Sequence, residues 1–186
     1  MMVETRLLVL LVLAVSGCSV GETKLKPPLN LPVDLSRVGV VAETNFTVDE
    51  LNVYDFFLEF YYQPGNELDR KRVRKVLGDN ALDKSGAPLE PGVTTPVRLE
   101  IFKLGENNIC RVFQKQLSPT LTFWGGGSFG KNIGGKLLFP GRYHLRLESL
   151  SANPVYASIK TDFVVGVDRF KTSVSKSMEK VQECLP

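Results

Sequence analysis

Alternation of apolar and polar positions is sharpest over residues 51–62, where Tyr54, Phe56, Leu58, Phe60 and Tyr62 interleave with Asp55, Phe57, Glu59 and Tyr61. A period of two puts the first set on one face of the backbone and predicts a central β-strand. Short β-prone runs precede it at 37–43 and 46–48, and others follow at 97–104, 109–116, 121–124, 136–139, 142–150 and 155–167. Turn-forming residues stand between them: Gly105-Glu106-Asn107-Asn108, Ser118-Pro119, Pro140-Gly141 and Asn153-Pro154. Over 142–149, Tyr143, Leu145 and Leu147 form an inward face opposite Arg142, His144, Arg146 and Glu148, so one face of that strand is wet.

The period changes twice. Leu68, Val73, Val76 and Leu77 fall on one helical stripe, with Asn66 placed to cap the first turn and Gly78 to end the last, which predicts a short helix over 66–77. Phe170, Val174, Met178 and Val181 recur at three or four and predict a C-terminal helix over 168–182. Between the first helix and the strand at 97, residues 79–96 carry Gly86, Pro88, Pro91, Gly92 and Pro96 and form a loop long enough to suggest a functional role. Short strands, half-wet alternation and the lack of a βαβ rhythm argue for a mainly β, antiparallel sandwich with a helical insert.

The N-terminal end has a different logic. An unbroken apolar run over 7–15 follows Arg6 and the terminal amine, the pattern of an export signal, and nine residues are about half of the roughly twenty that span a bilayer. Val15-Ser16-Gly17-Cys18 resembles a bacterial lipobox, which implies cleavage after residue 17 and a diacylglycerol on Cys18; Val15 and Glu4 depart from the commonest pattern. Lipoprotein processing supplies more than one acyl chain, which makes attachment durable. Ser19 after the cysteine, by resemblance to enteric sorting signals, favours the outer membrane, facing the periplasm or the cell surface. Residues 19–32, with three prolines and no periodicity, read as a tether, and 33–186 as one sandwich domain.

Composition alters this picture little. At 43% hydrophobic and 23% charged, the chain is an ordinary foldable protein, and its formal charge of +3 survives removal of residues 1–17, which carry only Glu4 and Arg6. A mild positive balance on an exported chain implies no nucleic-acid partner. With Cys18 assigned to lipid, Cys110 and Cys184 remain as a pair in an oxidising compartment, and a disulfide is expected; the alternative is a buried Cys110 and a separate Cys184.

Residues that suggest chemistry are few. Gly125 to Asn132 matches the glycine and lysine spacing of a phosphate-binding loop, but Asn132 stands where a magnesium-holding Ser or Thr is needed, and Ile133-Gly134-Gly135 is a poor helix start. No nucleotide is expected; the stretch reads as a bulged or flexible hairpin, with Trp124 and Phe129 as candidate loop contacts at its tip, against Trp124 as ordinary core. His144 is the sole histidine, and Glu148 on the same strand face lies about 13 Å along it, too far to orient the ring. Asp55 and Glu59 are separated in the same way and make no glycosidase pair. Zinc or calcium spacing is missing, so neither a metal nor a cofactor is expected. The densest charge is Arg70, Lys71, Arg72, Arg74 and Lys75 on the predicted helix, either a contact for anionic head groups or an acidic partner, or a solvated face balanced by Glu67 and Asp69.

The run from Tyr54-Asp55-Phe56-Phe57-Leu58-Glu59-Phe60 through Asp69-Arg70 and Thr95-Pro96-Val97-Arg98-Leu99 to Phe139-Pro140-Gly141-Arg142-Tyr143 resembles a domain of unknown function in small proteobacterial lipoproteins, over about 36–167. The resemblance implies an immunoglobulin-like β-sandwich with no assigned activity. Residues 96–104 also resemble a strand of the type VI secretion lipoprotein, another lipid-anchored sandwich. The expectation is a non-catalytic, lipid-anchored envelope module that binds a protein or glycan, with a secretion-apparatus anchor as its narrower form and an envelope hydrolase as the competing class.

Overall fold

A computed structural model describes residues 25–79, 81, 83–86 and 89–167. Along the chain it runs β1 (Leu29–Pro32), β2 (Gly39–Val48), β3 (Asn52–Tyr61), α1 (Glu67–Leu77), β4 (Val97–Leu104), β5 (Ile109–Leu117), β6 (Leu121–Trp124), β7 (Ser128–Leu138), β8 (Gly141–Ser149) and β9 (Thr161–Val167), with a 3-10 helix at Pro154–Ser158. The strands form two antiparallel sheets, β1-β9-β3-β7-β6 and β2-β8-β4-β5. This is the mainly β, antiparallel sandwich that the alternation predicts, and it is consistent with the immunoglobulin-like form that the resemblance implies. The expected C-terminal helix lies outside the described residues, as do Cys18 and Cys184.

The core lies between the inner faces. Tyr54, Phe56, Leu58 and Phe60 of β3 and Phe163 and Val165 of β9 face Tyr143, Leu145 and Leu147 of β8 and Val97, Leu99 and Ile101 of β4, all buried. Each such side chain contributes about 1.5–3 kcal/mol when fully removed from water. Phe56 of β3 meets Phe113 of β5 at 5.6 Å, which ties the layers together, while Phe56 with Phe163 at 6.5 Å and Phe46 with Tyr143 at 5.5 Å stack neighbouring strands within each sheet.

Two expectations are sharpened and two need correction. The two runs at 37–43 and 46–48 are one strand, β2, because Thr44 and Asn45 between them pair with Leu145 and His144 without a break. The tether ends early: β1 pairs with β9 through Leu29 and Val165, so the sheet absorbs residues assigned to the linker. The run at 155–167 is split, since Asn153 caps a 3-10 turn that buries Tyr156 before β9 begins. The glycine-rich stretch after Trp124 is the bulged form of the expected hairpin: the chain turns at 125–127 and returns along β6 as an eleven-residue strand, β7, which also pairs with β3.

β7 shows why its glycines misled. A Cβ on Gly130 would fall 1.8 Å from the Phe123 ring, so this glycine lets an aromatic lie flat on the strand. Phe56 pairs with Gly134 and Phe57 with Asn132, leaving Ile133 as the extra residue of a bulge whose side chain is buried. Phe129, Lys131 and Ile133 therefore all point inward, the last two on either side of a single polar position, Asn132.

Candidate functional site

The helix is built from its ends. Asn66 Oδ1 accepts the Asp69 N–H at 3.0 Å, and Asp69 Oδ2 accepts the Gln63 N–H at 2.7 Å, so the cap and the incoming chain are locked together. The Gln63 N–H, and after it Arg72, hold the Asp69 carboxyl below the usual carboxylate range. Val73 and Leu77 are buried and fasten α1 to the sandwich. Arg72 pairs with Asp69 at 2.9 Å and reaches the Ser158 hydroxyl and carbonyl at 3.0 and 3.3 Å, latching α1 to the 3-10 turn.

These contacts divide the basic run. Arg70 pairs with Glu67 at 3.4 Å, Arg72 is taken by Asp69 and Ser158, and Arg74 pairs with Asp79. Lys71 and Lys75 are exposed and make no ion pair among the described residues. Lys71, Arg74 and Lys75, spaced three and four apart, share one side of the helix. The five-residue contact suggested by sequence thus narrows to two lysines beside a neutralised arginine.

The long loop returns to this side. Asp79 N–H donates to Glu90 O at 2.6 Å and Val93 N–H to Val76 O at 2.7 Å, so the loop is pinned to the end of α1. Gly78 and Gly92 both have positive φ, and a Cβ on Gly92 would lie 2.3 Å from Gly78 N. Only glycines allow this approach. The resulting open groove, of about 730 Å³, is lined by Lys71, Arg74, Lys75 and Asp79 on one side and Leu89 to Gly92 on the other.

Asp79 and Pro91 are shared with a second, smaller pocket of about 170 Å³ that reaches the inner face of β7. Lys131 lies there, 2% exposed and opposite Leu58 in the ladder. Its ammonium donates to Thr95 Oγ1 at 3.3 Å and Val93 O at 3.4 Å and stands 5.9 Å from the Phe60 ring centre. Thr95 Oγ1 bonds Tyr156 OH at 2.6 Å, and Tyr156 OH donates to Val93 O at 3.0 Å, completing a buried relay of hydroxyls. Lys131 has no salt bridge among the described residues, and burial alone lowers its pKa from 10.5 to about 8. Burial also pushes the Tyr156 phenol up, with the Thr95 bond acting against it. Sequence reasoning passed over Lys131 as part of a failed phosphate-loop match. Its alternation with buried Phe129 and Ile133 was the signal, legible only once that stretch is taken as a strand.

The remaining candidates lie apart from this groove. Trp124 is 44% exposed at the end of β6, whereas Phe129 is fully buried, because alternation along β7 turns it inward against Tyr62 at 5.0 Å. Phe129 is therefore no loop contact. His144 lies on the wet face of β8, with Nδ1 2.9 Å from Asn45 Oδ1 and Nε2 3.0 Å from Glu43 Oε1, partners supplied by β2 and not by its own strand. Glu59 sits directly across the β3–β9 ladder from Asp162 and accepts bonds from Tyr61 OH at 3.0 Å and from Ser128 Oγ. Burial, followed by Glu59, pushes the Tyr61 phenol strongly upward. Cys110 is half-buried on β5. Among the described residues no three His, Cys, Asp or Glu side chains gather to hold a metal ion.

The profile of a family described as "Domain of unknown function (DUF5625)" matches residues 30–167, a span that takes in α1, the long loop and β7. Among solved structures, the crystal structure of a protein from Sulfurospirillum deleyianum is similar with a TM-score of 0.62 at 24% identity, covering 76% of this chain and 98% of that one. At that identity the likeness bears on the fold alone. Among curated proteins none matches.

Proposed function

The chain belongs to the DUF5625 family, and for this member we propose a non-catalytic binding module, tethered to the bacterial envelope by lipid on Cys18, that holds an anionic envelope protein or glycan beside α1. The observation that carries the reading is the groove in which Lys71 and Lys75, without an ion pair among the described residues, face the 89–92 loop, with Glu90 and the Arg74-paired Asp79 as the acids of its lining. Two exposed ammonium groups about one helical turn apart suit a chain of carboxylates or phosphates, and such contacts weaken with salt. The apolar run at 7–15 and the lipobox-like Val15-Ser16-Gly17-Cys18 support the anchor, and Ser19 favours the outer membrane. A disulfide between Cys110 and Cys184 belongs to the same reading, closing the C-terminal segment onto β5. A secretion-apparatus anchor is its narrower form.

The test uses the chain purified from membranes of its host. Wild type is expected to bind an acidic polysaccharide, or vesicles with one-third anionic phospholipid, in a salt-sensitive way, and K71E/K75E is expected to lose that binding while melting unchanged. Equal binding by the two proteins overturns the groove. Intact mass tests the anchor: residues 18–186 plus acyl chains, gaining two hydrogens on reduction, is expected, and an uncut, unacylated chain overturns it.

A further inference from the structure

The inner pocket holds a lysine that the fold gives no reason to keep. β7 needs an apolar side chain opposite Leu58, between Phe129 and Ile133, and it has Lys131 instead. Taking an ammonium out of water is costly unless it is paired and well hydrogen-bonded. Its bonds to Thr95 and Val93, at 3.3 and 3.4 Å, are longer than the usual 2.7–3.2 Å range, and a ring face at 5.9 Å is a weak substitute for a carboxylate. Asp79, the acid that lines the same pocket, is already paired with Arg74 and accepts the Ala81 N–H at 3.2 Å. The cation at the bottom thus lacks a counter-charge of its own.

We propose that this pocket is a binding site for one small anionic group, a carboxylate or a phosphate, with Lys131 as the cation that receives it. An ammonium has three donors, and two are engaged, which leaves one for an incoming oxygen. Thr94, Ser118 and Thr120 line the mouth and add hydroxyls, while Leu77 and Leu121 supply apolar walls. The volume of about 170 Å³ equals that of roughly five or six waters at about 30 Å³ each, enough for a charged end group but not for a whole sugar chain or helix. The depressed pKa fits a cation awaiting its partner, because an anion docked beside Nζ restores the charged form. Asp79 and Pro91 border both cavities, so the anion held here is an end group of the larger ligand in the outer groove. That last step rests on the reading above; the inner site itself does not.

The test is nitrogen-detected NMR of lysine side chains in the purified full chain, titrated separately with acetate and with inorganic phosphate. A saturable shift of the Lys131 Nζ signal is expected, and the anion with the lower Kd identifies the group. K131M is expected to lose the accompanying rise in melting temperature, with binding weakened about ten- to hundredfold, while K71E/K75E keeps it. An intact response in K71E/K75E alongside failed polyanion binding by wild type would retain the inner site and discard the outer groove. An unmoved Lys131 signal with both anions, or an unchanged thermal response in K131M, overturns the proposal; the NMR arm needs no variant and stands if K131M fails to fold.

Discussion

The outer face of the four-stranded sheet and the groove beside α1 are both built from long charged side chains, and they settle those charges differently. On the sheet, Arg98 pairs with Glu148, Arg111 with Glu100 at 3.4 Å, and His144 with Glu43 at 3.0 Å, while Arg146 stands between Glu43 and Glu100 in the ladder. Antiparallel register sets opposite charges face to face, and the face is balanced internally. Beside α1 the arginines are paired, and the lysines make no ion pair among the described residues. Lys71 and Lys75 look across an open groove, and Lys131 is buried behind it with only neutral partners. A balanced face suits a solvated surface; unpaired cations bordering adjoining cavities suit a ligand.

The contrast breaks most completely if the groove itself is dismantled. Gly92→Val must place a side chain where Gly78 N lies 2.3 Å from the first carbon, at a φ of +62° that β-branched residues avoid. A loss of about 4 kcal/mol in urea unfolding is expected, with both cavities gone. A melting curve matching wild type would mean that the loop is not held by this contact.

Lys131→Met acts in the opposite direction. The fall from 10.5 to about 8 corresponds to a penalty of about 3 kcal/mol on the folded state below pH 8. Because the folded pKa is depressed, stability rises as pH climbs from about 8 to 10.5, where the unfolded chain still binds the proton that the folded one has released. Raised Tyr54, Tyr61 and Tyr156 phenols oppose this above pH 10, since the folded state then holds protons that the unfolded state has lost. The methionine variant is expected to be more stable than wild type at pH 7 by up to about 3 kcal/mol and to show no rise between pH 8 and 10. A destabilised variant at pH 7 with the rise intact would mean that Lys131 is a structural group.

Smaller effects sharpen the comparison. K71E/K75E is expected to change stability by under about 1 kcal/mol, because both side chains are exposed and unpaired among the described residues, so that its effect falls on binding alone. Arg98→Ala on the balanced face is expected to cost about 0.5 kcal/mol and to leave anion binding untouched, which thermal melts and the polysaccharide assay check together.

Much of the fold was legible before the structure. The helix, its Asn66 cap and its Gly78 stop follow from local chemistry, and so does the inward set Tyr143, Leu145 and Leu147. What was misread failed for definite reasons. Glycines that make room for Phe123 imitate a loop, and the polar pair Thr44-Asn45 on the wet edge of β2 imitates a break between strands. Of the candidate site, the basic helix was visible, but which of its cations are already paired was not, because Asp79 meets Arg74 only through the turn at Gly78 and Ser158 meets Arg72 only through the return of the chain.

The sequence by itself determined the local periods, the caps, the apolar run at 7–15 and the concentration of cations on one helix, since each depends on neighbours within a few residues. Only the tertiary structure decided that Lys131 faces inward, that the 89–92 segment closes a groove over Lys71 and Lys75, and that His144 takes its partners from β2. Those outcomes depend on strand register and on backbone approaches between residues distant in sequence, where a shift of one position reverses which side of a sheet a charge occupies.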